Sequence, residues 1–431
     1  MSSGRWWRWW CLLIGAVFVV VVASSSASQT KQNRLVSRIA FGSCSDQADP
    51  QLIWNAIINF DPQVFIWLGD NIYGDIKRPF KLFGKERTIG PWKNVPRFVP
   101  TSKEEMESKY VKAKTNPGYS RLREKTEVIG TWDDHDYGLN DAGKEFGGKI
   151  VNQRLLLDFL DEAQNSPRYH RDPLLSDGTI LGNSQWTWLE KELNGPASAI
   201  TIIGSSVQVL SNLSAATGPL FSFECWGRFP RERDRLFKLI ADSKRDGVFF
   251  ISGDVHFGEL ARYDCATGYP LYDITSSGLT KAVEKAVPPP LHFIVRFVAR
   301  LTPTTMRVMD RNCRYSSCIY GQPNFGAIEI DWDATPVTLR IEVRDINGFP
   351  VTGVKVSLLE LQAGSVDPVA TIKAGEYRRH CTLEVNLPWL VRYRLAILFY
   401  SAVAVLLLAL IGFTYATISI SRRFLPKCKH D

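Results

Sequence analysis

The chain has 431 residues, 45% of them hydrophobic and 12% aromatic, which excludes a disordered or fibrous protein and allows one large core or two ordinary ones. Its formal charge of +8 is spread along the chain, with no polybasic tail and no nucleic-acid motif. That balance favours anionic partners, and no nucleic acid is expected.

The first segment, "RWWRWWCLLIGAVFVVVVASSSAS", has arginines, then an uncharged apolar run, then small residues near Ala27 and Ser28. This order predicts a secretory signal peptide over residues 1–28, with an uncleaved anchor as the alternative. "SRIAFGSC" then reads as a buried strand, "DPQLIWNAIINF" as an amphipathic helix and "QVFIWLGD" as a second strand. A basic insertion over roughly residues 74–102 follows, "DIKRPFKLFGKERTIGPWKNVPRFVPTSK" holding eight basic residues against two acidic. It either lines the mouth of a site and attracts anions or is a solvated loop.

Strand and helix text continues to alternate through "TEVIGTWD", "IVNQRLLLDFLDEA", "QWTWLEKEL", "AITIIGSSVQVL", "RERDRLFKLIADS" and "GVFFISGDVHF". Such alternation predicts a layered α/β domain over residues 37–362. Three late strands, "YPLYDITSSGL", "FGAIEIDW" and "VTLRIEVRD", extend a sheet with hairpin-like pairing. "PPPLHFIVRFVARLTP", residues 288–303, is too short to cross a membrane. It reads as a lid, an interfacial helix or, more commonly for such text, a helix packed on the core.

Residues 363–394 read as a juxtamembrane stalk, and residues 395–420 as a transmembrane helix, since about 20 apolar residues cross a bilayer. Arg422, Arg423, Lys427 and Lys429 follow in a cytosolic tail, residues 421–431. The ends together predict a type I membrane protein of the secretory pathway. The closing "KCKHD" resembles a dilysine retrieval signal, so coat proteins acting through Lys427 and Lys429 would return the protein to the endoplasmic reticulum. Ordinary stop-transfer basicity is the alternative. "NLS" at Asn212 is an N-glycosylation sequon.

Four expected strand ends carry polar clusters. Cys44 ends "FGSC"; Asp70 and Tyr73 lie in "LGDNIYGD"; Asp134, His135 and Asn140 lie in "TWDDHDYGLN"; Asp254 and His256 lie in "SGDVHFGE". Carboxyl ends of strands in an open α/β sheet face a common crevice. Carboxylates gathered there cannot all stay ionised without compensating cations. The mixed oxygen, nitrogen and sulfur donors therefore suggest a site of two or more metals. Carboxylate–arginine pairing is the plainer alternative, but it leaves Cys44 and Tyr73 unexplained.

The order of these motifs resembles the metallophosphoesterases, in particular the alkaline phosphatase D (PhoD-like) branch, over roughly residues 37–345. "QWTWLEKEL", "IIGSSVQVL", "WGRFPRERDRL" and "NFGAIEIDW" also resemble that family's text. The resemblance implies an α/β/β/α sandwich and a phosphatase acting on phosphate monoesters or diesters. It implies that Cys44, Asp70, Tyr73 and Asp254 surround Fe(III), that Asp70 bridges to Ca, and that Asp134 and Asn140 bind the calcium site. His135 and His256 become catalytic or ligating groups, and Arg121 a phosphate-binding group, since a guanidinium fork suits two phosphate oxygens. The implied chemistry is in-line attack by a metal-activated hydroxide, with His135 protonating the leaving alkoxide. A lipid-directed phosphodiesterase and a catalytically silent luminal receptor on the same fold are the competing readings.

Cys44 has a disulfide as its alternative role. Asp133 either caps and braces or binds metal, and Asp136 and Asp141 are plausible bystanders. If Cys44 binds metal, five luminal cysteines remain. Cys313 with Cys318 is the first expected disulfide, and Cys225 with Cys265 the second.

Overall fold

The computed structural model describes residues 17–22, 35–77, 98–140, 142, 146–170, 180–211, 213, 217, 220, 224–366, 380–383 and 386–424. The first half runs β1 (Val17–Val22), β2 (Arg38–Gly42), α1 (Ile53–Phe60), β3 (Val64–Leu68) and the short pair β4 (Ile76–Lys77) and β5 (Phe98–Val99). It continues through α2 (Lys103–Lys114), α3 (Pro117–Arg123), β6 (Glu127–Thr131), α4 (Asp134–Tyr137) and α5 (Lys149–Phe159). The second half holds α6 (Gly182–Leu193), β7 (Ile200–Ser205), α7 (Pro230–Asp242), β8 (Val248–Ser252), β9 (Gly258–Tyr263) and β10 (Leu271–Ser276). Then come α8 (His292–Leu301), β11 (Asn324–Asp331), β12 (Thr338–Asp345), β13 (Pro350–Ser357) and α9 (Trp389–Phe424).

Two sheets organise these elements. One has the order β13-β12-β11-β2-β3-β6, the other β1-β7-β8-β10-β9. Pairing is parallel along β2–β3–β6 and along β7–β8–β10, and antiparallel along β2–β11–β12–β13. The parallel strands read as continuous apolar runs because both of their faces are covered.

Inward side chains of both sheets meet in one core, with Ile39, Phe41 and Ile66 facing Ile202, Phe249, Ile251 and Ile274. Trp54, Trp67, Tyr119 and Phe159 fill the outer face of the first sheet beneath α1, α2, α3 and α5. Trp186, Leu189, Leu236 and Phe237 of α6 and α7 cover the outer face of the second. The order from one side to the other is helices, sheet, sheet, helices. Each fully buried large apolar side chain contributes about 1.5–3 kcal/mol relative to exposure.

Several segments take a form that the sequence did not specify. Val17–Val22, expected as the apolar part of a leader, forms β1, antiparallel to β7 from Val17↔Ser205 to Val22↔Ile200. A β-branched run suits a sheet edge as well as a membrane. The segment expected as a stalk is bound into the domain where it is described: Asp264 donates its backbone N–H to His380 O at 2.9 Å, and Cys381 is disulfide-bonded to Cys265. The second disulfide is therefore Cys265–Cys381, not Cys225–Cys265; Cys225 is a buried free thiol. For cysteines far apart in sequence, order alone does not say which fold together. Cys313–Cys318 forms as the spacing predicts.

α8 lies on the domain surface, where Ala299 packs on a core cluster and none of its residues is fully buried. α9 is one helix of 36 residues, long and apolar enough to cross a membrane. Asn212, Lys427, Lys429, Asp141 and the basic residues 78–97 lie outside the described residues.

Candidate metal centre

β2, β3, β6 and β8 end side by side, and Cys44, Asp70, Asp133–Asp134 and Asp254 follow them within two or three residues. The first three strands belong to one sheet and β8 to the other, so the cluster lies where the two sheets meet. Gly253 makes that approach possible: a Cβ there would stand 2.6 Å from Ser43 Oγ and 2.8 Å from Leu68 O. A bridge between Ser43 and Ser277 ties the two sheets beside the cluster.

"DDHDYG" folds as a strand end followed by a single helical turn. Asp136 fixes that turn. Its carboxylate accepts from Asn71 N at 3.1 Å, Asn71 Nδ2 at 3.2 Å, Ile72 N at 3.2 Å, Asp133 N at 3.2 Å and Tyr110 OH at 3.2 Å. Gly138, at φ 119°, ends the turn by donating to Asp134 O at 2.9 Å, in a conformation that side chains other than glycine rarely adopt. Asp136 is thus the brace that allows Asp133, Asp134 and His135 to face the cleft.

Two groups of donors result. Ligating atoms of Cys44, Asp70 and His256 all lie within 4.8 Å of one another, as do those of Asp70, Asp134 and His135. Asp70 belongs to both. Cys44 Sγ is 3.5 Å from Asp70 Oδ2 and 3.1 Å from Ser277 Oγ. Tyr73 OH is 3.1 Å from His256 Nε2, and the Tyr73 ring lies 4.2 Å from the His135 ring. Cys44 and Asp70 are buried at the floor, while Tyr73, Asp254 and His256 are half-buried at the mouth.

The electrostatics is strained in the way a cation would relieve. Burial pushes the Cys44 thiol up, reinforced by Asp70 and Asp254, and burial with Cys44 and Asp70 does the same to the Tyr73 phenol. Burial also raises Asp70 and Asp133, the second reinforced by Asp254 and Asp70. Asp70 Oδ1 and both carboxylate oxygens of Asp133 are buried with no hydrogen-bond partner. Buried carboxylate oxygens without a donor are costly unless a metal takes the donor's place. Thiolate, phenolate, carboxylate and imidazole together suit hard and borderline cations. On these observations the donor set fits metal.

The two imidazoles are sorted. Burial opposes a charge on His135, but Asp134, Asp70 and Asp75 outweigh it and hold its pKa up at about 10. Burial, then the charges of His135, Lys281 and Lys77, bring His256 down to about 4. Backbone strain is concentrated at the same place: of nine non-glycine residues with positive φ among the described residues, four are Cys44, Asp70, Asp254 and His256. Residues held in such conformations cluster at functional sites.

One expected residue falls elsewhere, and another meets the cluster by its backbone. Arg121 is on α3 with its guanidinium donating to Asn55 Oδ1 at 2.9 Å on the protein surface, and no described contact joins it to the cluster. Asn140 approaches through its backbone, which donates to Asp75 Oδ2 at 2.9 Å. Three residues were not singled out from sequence. Asp75 accepts from His135, Ser277 links Cys44 to the His256 backbone at 2.8 Å, and Lys281 stands 5.7 Å above the Tyr73 ring. Only Asp75 had a local signal, as the last acid of "DNIYGD".

A family profile described as PhoD-like phosphatase matches residues 154–318. Over that segment the chain is similar to the PhoD-like phosphatases. The PhoD-like match includes Asp254 and His256; the other positions of the cluster precede it, and their grouping rests on the geometry above. Alkaline phosphatase D of Bacillus subtilis (strain 168) is 25% identical over 79 residues, which is 18% of this chain and 14% of that protein. A solved structure titled "Structure of PhoD" has a TM-score of 0.49 at 12% identity, covering 74% of this chain and 68% of that one.

Proposed function

We propose that the chain is a metal-dependent phosphatase that hydrolyses phosphate monoesters or diesters, anchored in a membrane by α9. The observation that carries this reading is the pair of donor groups sharing Asp70, together with the unpartnered oxygens of Asp70 and Asp133. Cys44, Asp70, Tyr73, Asp254 and His256 would hold one cation, Fe(III) by resemblance. Asp70, Asp134 and Asn140 would hold a second, Ca by resemblance, with Asp133 as a further oxygen donor. Bound metal would supply Lewis acidity and a water acidified toward neutral pH.

The chain's own residues supply the rest. Asp75 holds His135 by Nδ1 at 2.7 Å, so a protonated imidazole is oriented toward the cleft as donor to a leaving alkoxide. Lys281 at the mouth is held beside the Tyr73 ring by ion pairs to Asp46 at 2.9 Å and Asp49 at 3.3 Å. The two disulfides support an oxidising compartment, and with α9 they support a type I protein of the secretory pathway, retrieved to the endoplasmic reticulum through Lys427 and Lys429.

Metal analysis and a visible spectrum of the purified protein test the proposal. An iron(III)–tyrosinate site colours the protein, and Tyr73→Phe should bleach it without unfolding it. A folded, colourless protein with no bound metal and no activity on aryl phosphates would overturn the reading. The ratio of monoester to diester hydrolysis then separates the two substrate classes.

A further inference from the structure

α8 has its faces reversed relative to an ordinary surface helix. His292, Val295 and Ala299 are half-buried toward the domain, whereas Phe293, Ile294, Phe297 and Val298 point outward. Phe293 is 65% exposed and Phe297 59%. Four large apolar side chains at spacing i, i+1, i+4, i+5 make one contiguous outward stripe. One of its two arginines is drawn away from that stripe: Arg296 donates to Glu284 Oε1 at 3.1 Å and Oε2 at 2.8 Å, with its guanidinium 4.3 Å from the Tyr315 ring.

α9 starts against the same corner of the domain. Arg394 donates to Thr302 O, one residue beyond α8, and Leu395 and Ala396 are 6% and 5% exposed. The first residues of the apolar span are therefore held by the domain itself, with no spacer between them. Trp389, Leu390 and Tyr393 are exposed on the preceding turns, where aromatic side chains favour the membrane–water interface.

We propose that the outward face of α8 is a membrane-docking surface, seated in the interfacial layer of the bilayer that α9 enters. The proposal rests on the reading of α9 as a span. Lipid is the occupant because the apolar stripe adjoins the residues where the span begins, and an apolar helix face lying in the interface plane buries its side chains among headgroups and upper acyl chains. The docked helix also reaches the candidate site. Ala299 packs on the cluster of Val255, Phe257 and Ile319, and Val283 of that cluster donates its N–H to His256 O at 2.8 Å. Docking thus fixes the orientation of the cleft relative to the lipid surface.

The test reconstitutes the full chain in phosphatidylcholine vesicles containing a phospholipid with a diazirine in the upper acyl chain, followed by photolysis and peptide mapping. Label is expected on α8, at Phe293, Ile294, Phe297 or Val298, and on α9. Label on α9 alone overturns the docking surface and leaves the span intact. Label on neither overturns the span reading as well. Phe293→Ser with Phe297→Ser should lower the α8 label roughly fivefold or more while the α9 label and hydrolysis of a soluble aryl phosphate are unchanged. An undiminished α8 label in that variant also overturns the proposal, since it shows capture by proximity alone.

Discussion

Asp75 Oδ1 lies 2.7 Å from Nδ1 of His135, and the other oxygen of Asp75 accepts the backbone N–H of Asn140 at 2.9 Å. One carboxylate, 2% exposed at its side chain, thereby fixes both the orientation of the imidazole and the path of the chain leaving α4. Asp75→Asn keeps the shape but weakens the charge-assisted bond. Activity on an aryl phosphate should fall about 10–100-fold, the usual effect of losing a partner behind a site residue. The loss should appear in kcat, with a changed pH profile and a melting temperature near the parent's. An unaltered kcat would remove Asp75 from the machinery.

Asp136 is predicted to matter for stability first. Five donors converge on it, and its burial pushes the carboxyl up to about 7 against the pull of its backbone bonds. Asp136→Ala strands several buried N–H groups, each costing about 1–3 kcal/mol. Denaturant unfolding should show a loss of roughly 3 kcal/mol or more. A loss below about 1 kcal/mol would mean that the α4 turn does not depend on this brace.

Asp273 provides a pH test away from the candidate ligands. It accepts from Val209 N and Leu210 N, both at 2.8 Å, and from Ser252 Oγ at 2.7 Å, yet burial outweighs these bonds and pushes it up to about 6. A carboxyl raised in the folded state favours folding when protonated. Its contribution is complete below the unfolded value near 4 and is lost as pH rises through about 6. The size is on the order of 3 kcal/mol. Asp273→Asn should flatten the decline of unfolding free energy between pH 4 and pH 6, measured as a difference from the parent. Parallel curves for parent and variant would contradict the assignment.

The disulfide between Cys265 and Cys381 closes a separation of 116 residues. Chain-entropy reasoning gives a stabilisation of roughly 2–5 kcal/mol. Cys381→Ser should lower the melting temperature and raise proteolytic cleavage between residues 366 and 388, upstream of α9. Equal cleavage in parent and variant would show that the bond does not hold this segment to the domain.

Much of the site could be read from the sequence because its residues sit at the ends of apolar strands. A buried parallel strand shows as an apolar run, and its carboxyl end is where side chains reach a shared crevice. Cys44, Asp70, Asp134, His135, Asp254 and His256 carried that signature, and the structure gathers them. Arg121 did not carry it, since it lies on a helix before β6, and the fold leaves it at the surface. Ser277 was illegible for the opposite reason: it is the second of two adjacent serines at the end of an ordinary strand. Only the Ser43–Ser277 bridge between sheets puts it beside Cys44.

By itself the sequence determined the alternation of elements, the apolar helix near the C-terminus and the donor types at the strand ends, because these depend on local periodicity and local chemistry. Tertiary structure decided which donors share an atom's reach, which aspartate braces rather than faces the cleft, which cysteines pair, and that α8 turns its apolar face outward. Those outcomes depend on contacts between segments as far apart as Cys44 and Ser277, or Thr302 and Arg394. No local pattern encodes such distances; they follow from how two sheets and their helices pack.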